Sequence, residues 1–178
     1  MDLMLLRAFQ RQVELQCQFL LAAATDIDAG LQKHNVQQTF YGIQNLLNAA
    51  ANVSKALYGS GAKKAANRKP LRDSVGVDDN SPFCEVAMRN NFEHLDERLE
   101  RWWSESQSHN ICDMNIASRQ SISGIESLGW FRNFDPQTAE VTFWSEDFNI
   151  KNIINEAQRI LPKLQEEANK PHWETGGP

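Results

Sequence analysis

Six residues in the middle of this chain, Arg89-Asn90-Asn91-Phe92-Glu93-His94, combine side chains that can move a proton with one that can hold an anion. A histidine near its reference pKa of about 6.5 accepts or donates a proton at neutral pH. An arginine fork grips a phosphate through paired hydrogen bonds and stabilises negative charge that builds there. On a helical wheel Asn90 falls about 40° from His94 and one turn away, which places it to orient the imidazole. Glu93 is spaced to pair with Arg89, and Glu97 to contact His94. The same stretch also reads as a solvated helix face. Arg89 with Glu93 and Glu97 with Arg101 are i, i+4 opposite-charge pairs, each worth a few tenths of a kcal/mol.

Other chemistry is sparse. His34, His109 and His172 lie far apart with no metal-ligand spacing, and no nucleophile-elbow, phosphate-loop or dinucleotide motif occurs, so no metal and no cofactor is expected. Cys17, Cys84 and Cys112 are too few and too scattered for a disulfide framework or a zinc site, and read as reduced thiols. Trp102, Trp103, Trp130 and Trp144 offer stacking surfaces, but at helical and strand spacing such residues read first as core.

The elements that must position Arg89 and His94 follow from periodicity. Leu6, Phe9, Val13, Cys17, Leu20, Leu21 and Ala24 predict a long helix from Leu3 to about Ala29, with Gln and Arg on its other side and Gly30 as its stop. A second helix from about Asn35 carries Phe40, Ile43, Leu46, Leu47, Ala50, Val53 and Leu57 and ends at Gly59-Ser60-Gly61. The short connection makes the two antiparallel neighbours. Residues 59–72 read as a solvated loop, with Pro70 opening a short turn through about Val75. Ser81 and Pro82 then predict the start of one helix running to Glu105, with Cys84, Met88, Leu95, Leu99 and Trp102, flanked by Phe92 and Trp103, on its buried face. On such a helix Arg89 and His94 stand about 140° apart and about 7.5 Å along the axis. Residues 106–129 show no clear pattern. Residues 130–144 predict a small β-hairpin turning at Asp135-Pro136-Gln137-Thr138, and Asn149 caps a final helix bent at Pro162. The expected fold is therefore all-α, an antiparallel helical bundle with a small C-terminal hairpin and a last helix. It forms a single domain over residues 1–168, followed by a flexible tail, 169–178.

An arginine, four residues and a histidine, with an amide directly after the arginine, resembles the R-x4-6-H signature of the HEPN superfamily (higher eukaryotes and prokaryotes nucleotide-binding). The resemblance covers roughly residues 3–105, with the motif in a helix preceded by two long ones. It implies a metal-independent endoribonuclease in a toxin, phage-defence or stress role, with Arg89, His94 and Asn90 as catalytic residues and Glu93 and Glu97 in support. It further implies a two-fold homodimer that brings Arg89 and His94 of both chains into one cleft, since one helix alone is poor at clamping one phosphate. HEPN toxins are often partnered by a nucleotidyltransferase antitoxin, and such a partner is open to this chain. Gly59-Ser60-Gly61-Ala62-Lys63 superficially resembles the entry to a minimal nucleotidyltransferase, but no paired carboxylates follow to hold magnesium. The competing reading is a non-catalytic HEPN-like module that binds a partner protein or a nucleotide.

Charge sets the terms for RNA. The 178 residues carry 18 Lys and Arg against 23 Asp and Glu, a net charge of −5, which excludes coating nucleic acid by bulk electrostatics. Residues 59–72 hold Lys63, Lys64, Arg68, Lys69 and Arg72 with no acid, leaving the rest of the chain at about −10. Lys63, Lys64, Arg68 and Lys69 are therefore the candidate RNA-phosphate contacts. Arg11 and Glu14 interrupt the N-terminal apolar run before it could serve as a signal peptide, and no window of about 18 apolar residues spans a membrane. A cytoplasmic protein with no membrane partner is expected.

Overall fold

The computed structural model describes residues 1–59, 62–84, 87–144 and 146–171, without the side chains of Ala62 and Arg89. Seven α-helices and four strands lie among these residues: α1 (Leu3–Gln32), α2 (Val36–Tyr58), α3 (Ala62–Asn67), α4 (Lys69–Val75), α5 (Met88–Glu93), α6 (Leu95–Glu105), β1 (Asn115–Ile116), β2 (Asn133–Asp135), β3 (Glu140–Phe143), β4 (Glu146–Asn149) and α7 (Ile150–Ala168). None of the described helices is long and apolar enough to cross a membrane. The chain forms two compact units. The first takes in Met1–Ala23, Asn45–Val86 and Ile153–Pro178, the second Ala24–Gln44 and Ala87–Asn152.

In the first unit the apolar rows of α1, α2 and α7 close on one another, burying Val13, Cys17, Leu20, Leu46, Leu57, Ile160 and Leu164. Asn52 Nδ2 donates to Gln16 Oε1 at 3.2 Å across the α1–α2 pair. Arg7 is buried, and a buried cation needs a partner. It donates to Gln10 Oε1 and to Glu167 Oε2, both at 2.8 Å, while Gln10 Nε2 donates to Ser74 Oγ at 2.9 Å. Lys170 and Lys163 approach Glu167 from outside at 2.6 and 3.3 Å. Asn169 Nδ2 also donates to Gln165 O, so the first two residues of the expected tail are tied to α7; residues 172–178 lie outside the described residues.

The expected loop at 59–72 is instead the site of α3 and α4. Cations build it: Arg72 is buried, donating to Leu57 O and Ala65 O at 2.9 Å, and Arg68 lies 3.8 Å over the Phe9 ring. A run of like charge reads as solvated until tertiary acceptors and an aromatic face are supplied for it.

The second unit overturns the all-α expectation. A four-stranded mixed sheet of order β1-β2-β3-β4 replaces the lone hairpin, with β1 parallel to β2 and the other neighbours antiparallel. The hairpin itself is present, pairing Asp135 with Glu140 around residues 136–139. The two added strands are short and hold one apolar residue each, so they carry no alternating apolar pattern. What recruits them is the polar content of the middle strands. Asn133 and Thr142 are buried, and their side chains are satisfied from the edges: Asn115 Nδ2 donates to Asn133 Oδ1 at 2.6 Å, and Thr142 Oγ1 donates to Asp147 Oδ1 at 2.7 Å. Asn149 caps α7 as expected, its Oδ1 accepting from Asn152 N at 3.2 Å, and Pro162 lies inside that helix.

Gly30 does not stop α1, which continues to Gln32. The turn falls at His34, whose φ is 51°, and Asn35 Oδ1 caps α2 by accepting from Gln38 N. Gly30 is instead a contact: a Cβ there would stand 2.6 Å from Thr39 Oγ1 and 2.7 Å from Thr39 N. Helix propensity favours Gly30→Ala by about 1 kcal/mol, whereas a clash with backbone costs about 1–3 kcal/mol. The clash wins, so Gly30→Ala lowers the denaturant midpoint; an unchanged or raised midpoint would show that the backbones part freely.

Burial alone would raise the Glu167 carboxyl, but hydrogen bonds from Lys170, Arg7 and Lys163 outweigh it and hold its pKa at about 2. A depressed folded-state pKa contributes stability that is complete above the ordinary 4.5 and drains away as pH falls towards 2. Unfolding at pH 7 and pH 3 therefore differs less in Glu167→Gln than in wild type, and the variant loses about 3 kcal/mol at pH 7. Equal acid sensitivity in the two proteins refutes the assignment.

Candidate functional site

The expected helix from Pro82 to Glu105 is broken. A 3-10 turn covers Pro82–Cys84, where Ser81 Oγ accepts from Phe83 N at 3.4 Å. Then α5 ends and α6 begins at His94, whose φ and ψ of −106° and 40° leave the helical region. The continuous-helix relation between Arg89 and His94 therefore does not hold. Burial explains the split. Met88 and Phe92 anchor α5 in the core, with the Phe92 and Phe143 ring centroids 5.5 Å apart, whereas α6 buries none of its residues. Of the face expected to be buried, Met88 and Phe92 are buried, whereas Trp103 is 66% exposed, Leu99 39%, and Cys84 is exposed. No proline or glycine marks the break in the sequence.

His94 sits at this break with its side chain about half exposed, and its Nδ1 lies 3.4 Å from Glu97 Oε1. Arg101 turns away from Glu97 to Glu105, at 2.7 Å, so the Glu97–Arg101 pair of the solvated-face reading is not formed. Asn90 and Glu93 are exposed on α5, and His94 N donates to Asn90 O at 3.0 Å. Arg89 belongs to α5, but its side chain lies outside the described residues. The structure thus brings His94 and Glu97 together.

Beneath this surface is a residue that sequence reasoning passed over. Asn91 is 3% exposed. Its Nδ2 donates to Glu146 Oε2 on β4 at 2.8 Å, and its Oδ1 accepts from Arg98 Nε on α6 at 3.2 Å. The signal was available, because Asn91 borders Met88 on the wheel and an amide on an apolar face must find partners. Arg98 and Arg101 lie 5.3 and 4.8 Å over the buried Trp144 ring. Trp130 is buried as well, in keeping with core aromatics, while Trp103 packs against His109 with centroids 4.3 Å apart.

The basic candidates belong to the first unit and His94 to the second. Lys63 and Lys64 are exposed on α3, Arg68 covers Phe9, and Lys69 Nζ is 2.7 Å from Asp73 Oδ1 on α4. Arg72 also pairs with Asp79 at 3.1 Å. Much of the local positive charge is therefore engaged with the protein.

Cys17 and Cys112 are not activated nucleophiles. Burial, then Glu156 and Glu14, push Cys17 up to about 12, and burial and Asp113 raise Cys112. Among the described residues no group of His, Cys, Asp and Glu is arranged to hold a metal ion. A cleft of about 210 Å³ in the second unit is lined by Gln37, Tyr41, Gln44, Phe92, Met114 and Arg132. It falls below the roughly 300 Å³ at which ligand pockets begin. Its one cation, Arg132, is held by Asp113.

No family model, curated protein or solved structure matches this chain.

Asn91→Leu keeps the branched shape of the side chain but removes its hydrogen bonds to Glu146 and Arg98, and is expected to cost about 2 kcal/mol in chemical denaturation. Glu100→Ala, at an exposed position of α6, should stay within about 0.5 kcal/mol. Equal effects at the two positions would remove Asn91 from the centre of this network.

Proposed function

We propose that this chain is a metal-independent endoribonuclease of the HEPN type, acting in the cytoplasm in a toxin, phage-defence or stress role. The observation that carries the reading is His94 at the helix break, with Nδ1 beside the Glu97 carboxylate. A carboxylate on one ring nitrogen fixes the tautomer and directs the other nitrogen to substrate. His94 Nε2 then takes the proton of a ribose 2′-hydroxyl, and the 2′-oxygen attacks the adjacent phosphorus. The bond from phosphorus to the 5′-oxygen breaks. A protonated His94 returns a proton to that oxygen, leaving a 2′,3′-cyclic phosphate and a 5′-hydroxyl. Arg89 serves to hold the scissile phosphate, and a homodimer supplies a second Arg89 and His94 to the same cleft. Asn90 is proposed to orient the imidazole and Glu93 to support Arg89, and Lys63, Lys64, Arg68 and Lys69 are proposed RNA-phosphate contacts. A nucleotidyltransferase-type antitoxin is the proposed neutralising partner.

The second reading is a non-catalytic module that binds a partner protein or a nucleotide. It draws on the acids Glu93, Asp96, Glu97 and Glu100, which surround His94 and repel an RNA backbone, and on the exposed Trp103 and Leu99 of α6.

Incubating purified protein with a mixed RNA pool in EDTA decides between them. Wild type should yield cyclic-phosphate ends, and His94→Ala should slow cleavage at least about 100-fold. Intact RNA after incubation with folded wild-type protein ends the nuclease reading. Cleavage that survives in His94→Ala ends the site assignment.

A further inference from the structure

Arg68 stands apart from the other arginines of this chain. Every other arginine with a described side chain donates a hydrogen bond to a protein oxygen, from Arg7 with Glu167 and Arg11 with Ala168 O to Arg132 with Asp113 and Arg159 with Glu156. The Arg68 side chain donates none among the described residues, and its Nε is buried without an acceptor. Phe9 covers one face of the guanidinium, 3.8 Å away, but a ring supplies no acceptor for the N–H groups. Asp2, at the same end of α1, is turned to the helix backbone, its Oδ1 accepting from Met4 N and Leu5 N at 2.9 and 3.2 Å. A partly desolvated cation without a counter-charge favours an anion within reach of its terminal nitrogens.

Arg68 also lines a cleft of about 440 Å³ within the first unit, walled by Met1, Leu5, Ala66 and Pro70, with Asn67 as its other polar residue. That volume lies inside the roughly 300–1,000 Å³ of ligand pockets. On α3 the exposed Lys63 precedes Ala66 and Asn67 by three and four positions, which puts it on the same helix face.

We propose that this cleft binds an organic carboxylate with an unbranched apolar body, the chemistry of a medium-chain fatty acid. The terminal nitrogens of Arg68 hold the carboxylate as a fork, and the hydrocarbon lies against Met1, Leu5, Ala66 and Pro70. Lys63 adds positive charge at the rim. The walls select this class. A bare inorganic anion leaves the apolar side chains unused, and a neutral hydrocarbon leaves the guanidinium unanswered. A nucleotide finds no ring to stack on, because no aromatic residue lines the cleft and Arg68 already covers Phe9. Arg68 is also among the proposed RNA-phosphate contacts; one guanidinium cannot serve both, so a bound acid excludes an RNA strand from this position. Binding of the acid itself does not depend on the nuclease reading.

Calorimetric titration of the full chain with octanoate tests the assignment. Wild type should bind one octanoate per chain with a Kd of about 1 mM or tighter. Acetate and 1-octanol, which each carry half of the chemistry, should bind at least about 10-fold more weakly, and so should octanoate to Arg68→Gln. Ala66→Phe fills the cleft from an exposed position while keeping the guanidinium, and should abolish binding with unchanged circular dichroism. Phe19→Ser, about 21 Å further along α1, should leave it unchanged. A wild type without saturable binding overturns the proposal. So does equal binding of 1-octanol, octanoate that binds Ala66→Phe or a folded Arg68→Gln as well as wild type, or loss of binding in Phe19→Ser. An oligouridylate whose binding depends on Arg68 and is indifferent to octanoate gives the position to RNA instead. None of these titrations reads cleavage, so a failure here and a failure of the nuclease reading are distinguishable.

Discussion

A buried amide that must be satisfied organises the region around His94. Asn91 has been taken out of water on the core side of α5, where each unmatched polar atom costs about 1–3 kcal/mol. Its amide nitrogen goes to Glu146 on β4 and its oxygen is met by Arg98 on α6. One side chain thereby ties two helices and a sheet edge together, with His94 in the interval between the helices. Arg98 also lies over Trp144, so the guanidinium that satisfies Asn91 covers an aromatic face at the end of β3. The exposed histidine is therefore mounted on a fixed support.

The same rule, that buried polar groups recruit partners, accounts for the sheet. Asn133 and Thr142 lie in the middle strands, and their side chains are answered by Asn115 on β1 and Asp147 on β4. Asp147 is in turn gripped by Arg119 at 3.0 Å. In the first unit Arg7 and Glu167 follow the same logic, with Gln10 and Ser74 completing the network. Charge that looks like solvated decoration along the chain is repeatedly used inside it. Arg72 is the plainest case: the fifth cation of a basic run, it is buried against two carbonyls.

Legibility varied with the type of signal. The apolar periodicity of α1, α2 and α7 could be read, and so could the Asn149 cap and the hairpin turn, because spacing and capping are local. The strands β1 and β4 could not, because two and four residues with one apolar side chain each carry no period. The break at His94 was hidden for a related reason. The stretch from Met88 to Trp102 has a clean helical wheel, and only the difference in burial between its halves divides it. The Gln and Arg side expected of α1 carries apolar residues as well, among them the exposed Leu5, Leu15 and Phe19.

The sequence by itself determined the long helices, the Asn149 cap of α7 and the presence of an arginine and a histidine five positions apart in one stretch. All of these depend on residues within a few positions of one another. The tertiary structure alone decided that the motif helix breaks at His94, that Glu97 is the residue beside it, that Asn91 rather than Asn90 is buried, and that the hairpin grows into a mixed sheet. Those outcomes depend on which polar atoms lose water and what stands across from them, and partners such as Asn91 and Glu146, 55 positions apart, are chosen by packing.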